Sequence, residues 1–257
     1  MRSLIAFPCA GETLVGTLDV APGTTGLLIV SGGNEIRCGA HRGMALLAAD
    51  VAAAGHPVFR YDRRGIGDST GTNGGFLSAR DDLLAAADAF RAAVPGVERI
   101  VGFGNCDAAS TLALFGREAG LGSLVLANPW TVEETDNLPA AAAIRATYRQ
   151  RLTDPRAWTR LLTGRIDLPR AIRGLRKAST TPPQALADRV VAGIEGWGDR
   201  ATVILATGDA TAQAYRAVAR HLPALRMDTA SHSFARDEDQ RALRGVVLGA
   251  LADGLSD

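Results

Sequence analysis

Chemistry in this chain centres on a cysteine. Residues 99–103 are a short apolar run that reads as a buried strand, and 109–116 read as a helix. Between them lies Gly104-Asn105-Cys106-Asp107-Ala108, a Gly-x-Cys-x-Ala turn with a thiol at its apex. Small residues on both sides of such a turn let strand and helix pack closely around a strained nucleophile. The plainer alternative is a buried structural cysteine, a common fate of free thiols. A thiol nucleophile needs a base to take its proton and a carboxylate to orient that base. The chain has four histidines: His41, His56, His221 and His232. His41 and His56 flank the first predicted helix, and His221 ends a later one, where the helix dipole accounts for it. His232 sits in the loop Ser231-His232-Ser233. For the acid, Asp209 follows a predicted strand directly, in Gly208-Asp209. Its rivals Glu133, Glu134 and Asp136 lie several residues beyond the strand 122–127. No His/Cys/Asp/Glu cluster has metal-ligand spacing, and Gly102-Phe103-Gly104 lacks the third glycine of a dinucleotide loop. No metal or cofactor is expected.

Positioning these groups requires a scaffold, and its rhythm is visible. Segments 4–7 and 13–20 are β-like around Gly11-Glu12 and suggest an antiparallel hairpin. Strand signals at 26–30, 57–61, 99–103 and 122–127 alternate with helical periodicity at 41–54, 78–93 and 109–116. Alternation of this kind implies a doubly wound, mostly parallel sheet. In such sheets the loops at the carboxyl ends of the strands carry the site. The rhythm breaks at 131–200, which holds no strand signal and is interrupted by Pro139, Pro155, Pro169 and Pro182-Pro183. That stretch is expected to be a helical cap inserted into a core formed by 1–130 and 201–257. Between Arg145 and Lys177 it carries ten Arg/Lys against Asp154 and Asp167, a pattern most simply read as a solvated basic face. Strand 201–206, helix 211–221, strand 224–227 and helix 237–255 complete the core.

The 257 residues are enough for one large domain, and 47% hydrophobic with 21% charged residues is ordinary for a globular enzyme. A net charge of +1 gives no general attraction to nucleic acid or membrane. Cys9, Cys38 and Cys106 form no disulfide framework, and no apolar run reaches membrane-spanning length. A cytoplasmic protein without membrane insertion is expected.

Three further segments complete a resemblance to the α/β-hydrolase superfamily along nearly the whole chain. They are Gly32-Gly33-Asn34-Glu35-Ile36-Arg37, Tyr61-Asp62-Arg63-Arg64-Gly65-Ile66-Gly67-Asp68-Ser69 and the turn continued to Ala109-Ser110. In that superfamily the turn is usually Gly-x-Ser-x-Gly, and the order is nucleophile, acid, histidine, as in Cys106, Asp209, His232. The chain more closely resembles the hydrolases associated with the exosortase A system. It is also similar to dienelactone hydrolases, which use Cys, Asp and His, although the insertion after Trp130 departs from them. The resemblance implies hydrolysis of an ester or thioester through a thioester on Cys106, with a small-molecule acyl substrate that could be carried on CoA or a carrier protein. Backbone N–H groups of Gly33 and Asp107 are the expected oxyanion hole, worth about 3 kcal/mol. An acyltransferase with the same residues and a non-catalytic binding module are the alternatives. Glu35 is expected either to pair with Arg37, Arg42 or Arg63 or, as in dienelactone hydrolases, to gate the Cys106 thiol.

Overall fold

The computed structural model describes residues 1–132 and 184–252. β1 (Arg2–Cys9) and β2 (Glu12–Asp19) form an antiparallel hairpin through Ala10-Gly11. There follow β3 (Thr25–Val30), α1 (Gly43–Ala53), β4 (Val58–Tyr61), α2 (Arg80–Ala93), β5 (Arg99–Asn105), α3 (Asp107–Phe115) and β6 (Ser123–Ala127). Beyond lie α4 (Gln184–Trp197), β7 (Ala201–Ala206), α5 (Ala210–Val218), β8 (Leu225–Met227) and α6 (Asp237–Ala252). The strands form one sheet in the order β1-β2-β4-β3-β5-β6-β7-β8, parallel from β4 through β8. The expected doubly wound, mostly parallel sheet is what the chain forms.

Helices cover both faces, which is why the central strands are continuous apolar runs. Alternate residues serve opposite layers. Leu27 and Ile29 of β3, Val101 and Phe103 of β5 and Ile204 of β7 pack with α1 and α6, through Met44, Leu47, Val51, Leu243 and Val247. Leu28, Ile100 and Leu126 point the other way, towards Leu83, Phe90, Leu112 and Tyr215. On that second face β5 carries Gly102 and Gly104. A Cβ at Gly102 would stand 2.9 Å from Leu112 Cδ2, so the missing side chain is what lets α3 lie against the strand.

Most element ends fall within two residues of the sequence expectation. α1 starts later because His41 and Arg42 take left-handed φ values of 52° and 61° and make a short turn ahead of the helix. α5 ends at Val218, and His221 bonds Glu195 on α4 at 2.6 Å rather than sitting in the last helical turn. In the described part of the expected cap, 184–200, α4 is an amphipathic helix. Leu186, Val190, Ile194 and Trp197 are buried in the same cluster as α3, each contributing about 2 kcal/mol by removal from water. Trp197 Nε1 donates to Ala113 O at 3.3 Å. Residues 133–183, with Glu133, Glu134, Asp136 and the basic stretch, lie outside the described residues.

Candidate active site

β5 runs directly into α3, and the chain can make that turn only by placing Cys106 at φ 62°, ψ −127°. This is strained backbone for a residue with a Cβ, and such strain persists only where the surroundings fix it. They do so here. Cys106 N donates to Ala127 O at 2.9 Å, and Cys106 O accepts from Ala109 N at 3.1 Å and Trp130 N at 3.2 Å. A Cβ on Gly104 would lie 2.8 Å from the carbonyl carbon of Ala108, so the turn requires glycine there.

Two neighbouring strand ends bring in the other groups. Asp209 is the N-cap of α5, and its Oδ2 accepts from Ala212 N at 2.9 Å. Its other oxygen, Oδ1, lies 2.9 Å from His232 Nδ1. Burial pushes the Asp209 carboxyl up, but the bonds from His232 and the Ala212 N–H outweigh it and leave the group below its ordinary value. The Asp209 bond, followed by the nearby Cys106 thiol, raises His232 to about 10 against the opposing effect of burial. With Nδ1 committed to Asp209, Nε2 is the nitrogen left for the thiol. Cys9 is buried beside Asp82, and burial first, then Asp82, pushes its thiol up to about 11, while Cys38 Sγ lies 3.7 Å from Gly39 O.

The loop after β3 is tied down by charges. Buried Asp62 accepts from Arg37 N at 2.6 Å and pairs with the Arg37 guanidinium, which also reaches Asp68 at 2.8 Å. Asp62 also accepts from Asp68 N at 3.1 Å, while Gly67 turns past it with φ 55°. The 61–69 motif is thus a brace between two loops. It also places Arg63, 2% exposed, between Gly33 O and the Asp107 carboxylate.

Two expected roles meet a different geometry. The Gly33 N–H donates to Asp107 Oδ1 at 2.7 Å, so this oxyanion donor is already engaged, by the side chain of the residue expected to supply the other. The N–H of Asp107 opens α3, where a backbone donor has no intrahelical partner. Glu35 makes no ion pair with Arg37, Arg42 or Arg63 among the described residues. Its half-buried carboxyl lies near His232, with no bond to Cys106 among the described residues. Burial raises it above the ordinary carboxylate range, a shift the nearby His232 opposes.

Beside Cys106 opens a cavity of about 570 Å³, with Phe76, Trp130, Val132 and Leu186 as apolar wall and Arg63 with Asp107 as polar wall. Among the described residues no group of three His, Cys, Asp or Glu side chains could hold a metal ion, and no helix is long and apolar enough to cross a membrane. Sequence reasoning passed over Asn105 and Asn128, both of which bond the His232 carbonyl. Their only sequence signal is a polar residue at the end of an apolar strand.

No family model matches the chain, and no curated protein does. Solved structures do. An esterase from Pyrococcus furiosus superposes with a TM-score of 0.64 at 13% identity, over 98% of this chain and 89% of that one. A serine hydrolase without lid from Xanthomonas campestris gives 0.59 at 17%, over 100% and 96%. The thioesterase domain from the curacin biosynthetic pathway gives 0.59 at 13%, over 96% and 99%. The chain has the α/β-hydrolase fold. Cys106 sits at the sharp turn between β5 and α3 of that fold.

Proposed function

We propose that the protein is a cysteine-nucleophile acyl hydrolase that opens an ester or thioester through a thioester acyl-enzyme on Cys106. The observation that carries this is the Asp209 carboxylate bonded to His232, with Cys106 close to that ring and lining a largely apolar cavity.

The steps follow from the geometry. With His232 raised to about 10, the Cys106 proton rests on Nε2 before substrate arrives, while Asp209 holds Nδ1 and stabilises the ring cation. The thiolate sulfur bonds the carbonyl carbon, and the C=O pair moves onto oxygen. The Asp107 N–H receives that oxyanion. The Gly33 N–H joins it when the substrate oxygen displaces Asp107 Oδ1, each donor being worth about 3 kcal/mol. Collapse breaks the bond to the leaving group, which departs with the His232 proton. Water then loses a proton to His232 and attacks the thioester, the C–S bond breaks, and acid and thiolate are released. An acceptor other than water would make the same intermediate an acyl-transfer donor. Glu35 is proposed to gate the nucleophile through His232, competing with the thiolate for the imidazolium.

Phe76, Trp130, Val132 and Leu186 suit an apolar acyl chain, delivered as an activated ester or as a thioester of CoA or a carrier protein. The segments 32–37, 61–69 and 104–110 support grouping the enzyme with the exosortase A system-associated hydrolases. The test is a panel of aryl esters, lactones and acyl-CoAs of graded chain length, with turnover followed beside the Cys106→Ala variant. Turnover that depends on Cys106 supports the proposal, and undiminished turnover in the variant removes it.

A further inference from the structure

The ring of His232 is held by Asp209, but a ring is only as well placed as its backbone. That backbone lies in the loop between β8 and α6, where Thr229 Oγ1 donates to Asp239 at 2.7 Å, Ala235 N donates to Ser231 Oγ at 2.9 Å, and Thr229 O accepts from Gly208 N beyond β7 at 2.9 Å. None of these reaches the nucleophile strand. Two asparagines do. Asn105 Nδ2 donates to His232 O at 3.0 Å, and Asn128 Nδ2 donates to the same oxygen at 3.3 Å. Asn128 Nδ2 also donates to Asn105 Oδ1 at 3.0 Å, and its own Oδ1 accepts from Ala206 N at 2.9 Å. The Ala206 donor fixes which way the Asn128 amide faces, because an NH₂ turned towards an N–H would repel it. Asn128 is fully buried with φ 43°, left-handed backbone that asparagine tolerates better than most residues.

We infer that Asn105 and Asn128 are a positioning pair that ties the His232 main chain to the ends of β5, β6 and β7 and so fixes the distance from the imidazole to Cys106. Three features carry this. Asn105 precedes Cys106 directly, so its amide links the nucleophile's own strand to the base. Both carbonyl lone pairs of His232 are used, leaving the loop little freedom to rotate. Asn128 needs a donor and an acceptor at once, which an amide supplies and a carboxylate does not. The inference rests on the proposed nucleophile and base, so its test must separate the two.

Asn105→Ala removes one donor from a strand position, and Asn128→Asp removes the other while keeping a short polar side chain at left-handed φ. Folding of each is checked by its melting temperature. Three quantities are then read: the pH profile of iodoacetamide alkylation at Cys106, the low-field proton resonance of His232 Nδ1, and kcat and KM separately on the best ester of the panel. The pair predicts kcat lower by about 10- to 100-fold with KM little changed. It also predicts a displaced alkylation inflection and a broadened or shifted Nδ1 resonance. A folded variant with wild-type alkylation profile, Nδ1 resonance and kcat overturns it. If one variant fails to fold, the other decides. His232→Ala is the control: if its Cys106 alkylation profile overlays the wild type, the nucleophile–base reading fails, and the Nδ1 resonance still judges the clamp.

Discussion

Replacing Asp209 by asparagine should be more harmful than truncating it, and the reason is in its two bonds. One carboxylate oxygen accepts from Ala212 N at 2.9 Å and the other from His232 Nδ1 at 2.9 Å. An asparagine must offer its single oxygen to the Ala212 N–H, since that donor cannot turn away from the first turn of α5. Its NH₂ then faces His232 Nδ1 and forces that nitrogen to be the acceptor. The proton moves to Nε2, and the ring can no longer take one from Cys106. Loss of the charged bond alone is worth about 1.5–3 kcal/mol, or roughly 10- to 150-fold in rate. Locking the wrong tautomer brings the loss in kcat to about 10⁴-fold. Asp209→Ala leaves the ring free to choose its tautomer, so it should lose less activity, although its missing cap costs the fold about 1 kcal/mol. The assay is kcat/KM on an aryl ester at pH 7, beside urea melts of both variants. An asparagine variant retaining a tenth of the activity, or more active than the alanine variant, would refute the orientation reasoning.

Other outcomes follow from the same geometry. With His232 raised to about 10 from 6.5, the alkaline limb of kcat/KM should fall near pH 10 rather than in the His range. Because the folded value is the higher one, the pairing stabilises the fold fully below pH 6.5 and ceases to do so above about pH 10; with the side chain 38% exposed, solvent screening keeps the effect small in a melt series. Glu35→Gln removes a negative charge beside His232, so the alkaline limb should move towards acid, and an unmoved profile would deny Glu35 any part in the chemistry of the ring. Gly104→Val would drive a side chain into the Ala108 backbone and should lower the urea midpoint by the equivalent of about 3 kcal/mol, whereas Phe90→Ala, a fully buried ring, should cost about 3–5 kcal/mol.

What was legible in the sequence was whatever depends on local pattern. Apolar runs such as 26–30 and 122–127 read as buried strands because both sheet faces are covered. The Gly104 turn was visible because only small residues allow it. His232 and Asp209 stood out by loop position and chain order. The bonds that join distant segments left no such trace. Asn105 and His232 are 127 residues apart, and nothing in either neighbourhood announces an amide on a carbonyl. The Gly33 N–H was expected to be free because a glycine pair after a strand usually presents its backbone; that Asp107, 74 residues on, would turn its carboxylate onto it is a matter of side-chain direction. Helical structure was expected somewhere in 131–200, but the packing of α4 against α3 was a matter of tertiary contact. The 61–69 motif carried part of the superfamily resemblance, and much of it braces the loop through Asp62 and Arg37.

The central claim is that Cys106 is acylated. The direct measurement is intact mass, followed by peptide mapping, of the protein quenched in acid within milliseconds to seconds of mixing with a p-nitrophenyl ester or acyl-CoA. One acyl mass on the Cys106 peptide, absent from Cys106→Ala and longer-lived in His232→Ala supplied with a highly activated ester, is the expected result. Turnover without any adduct on Cys106, or an adduct on Cys9 or Cys38 that turnover requires, would contradict it.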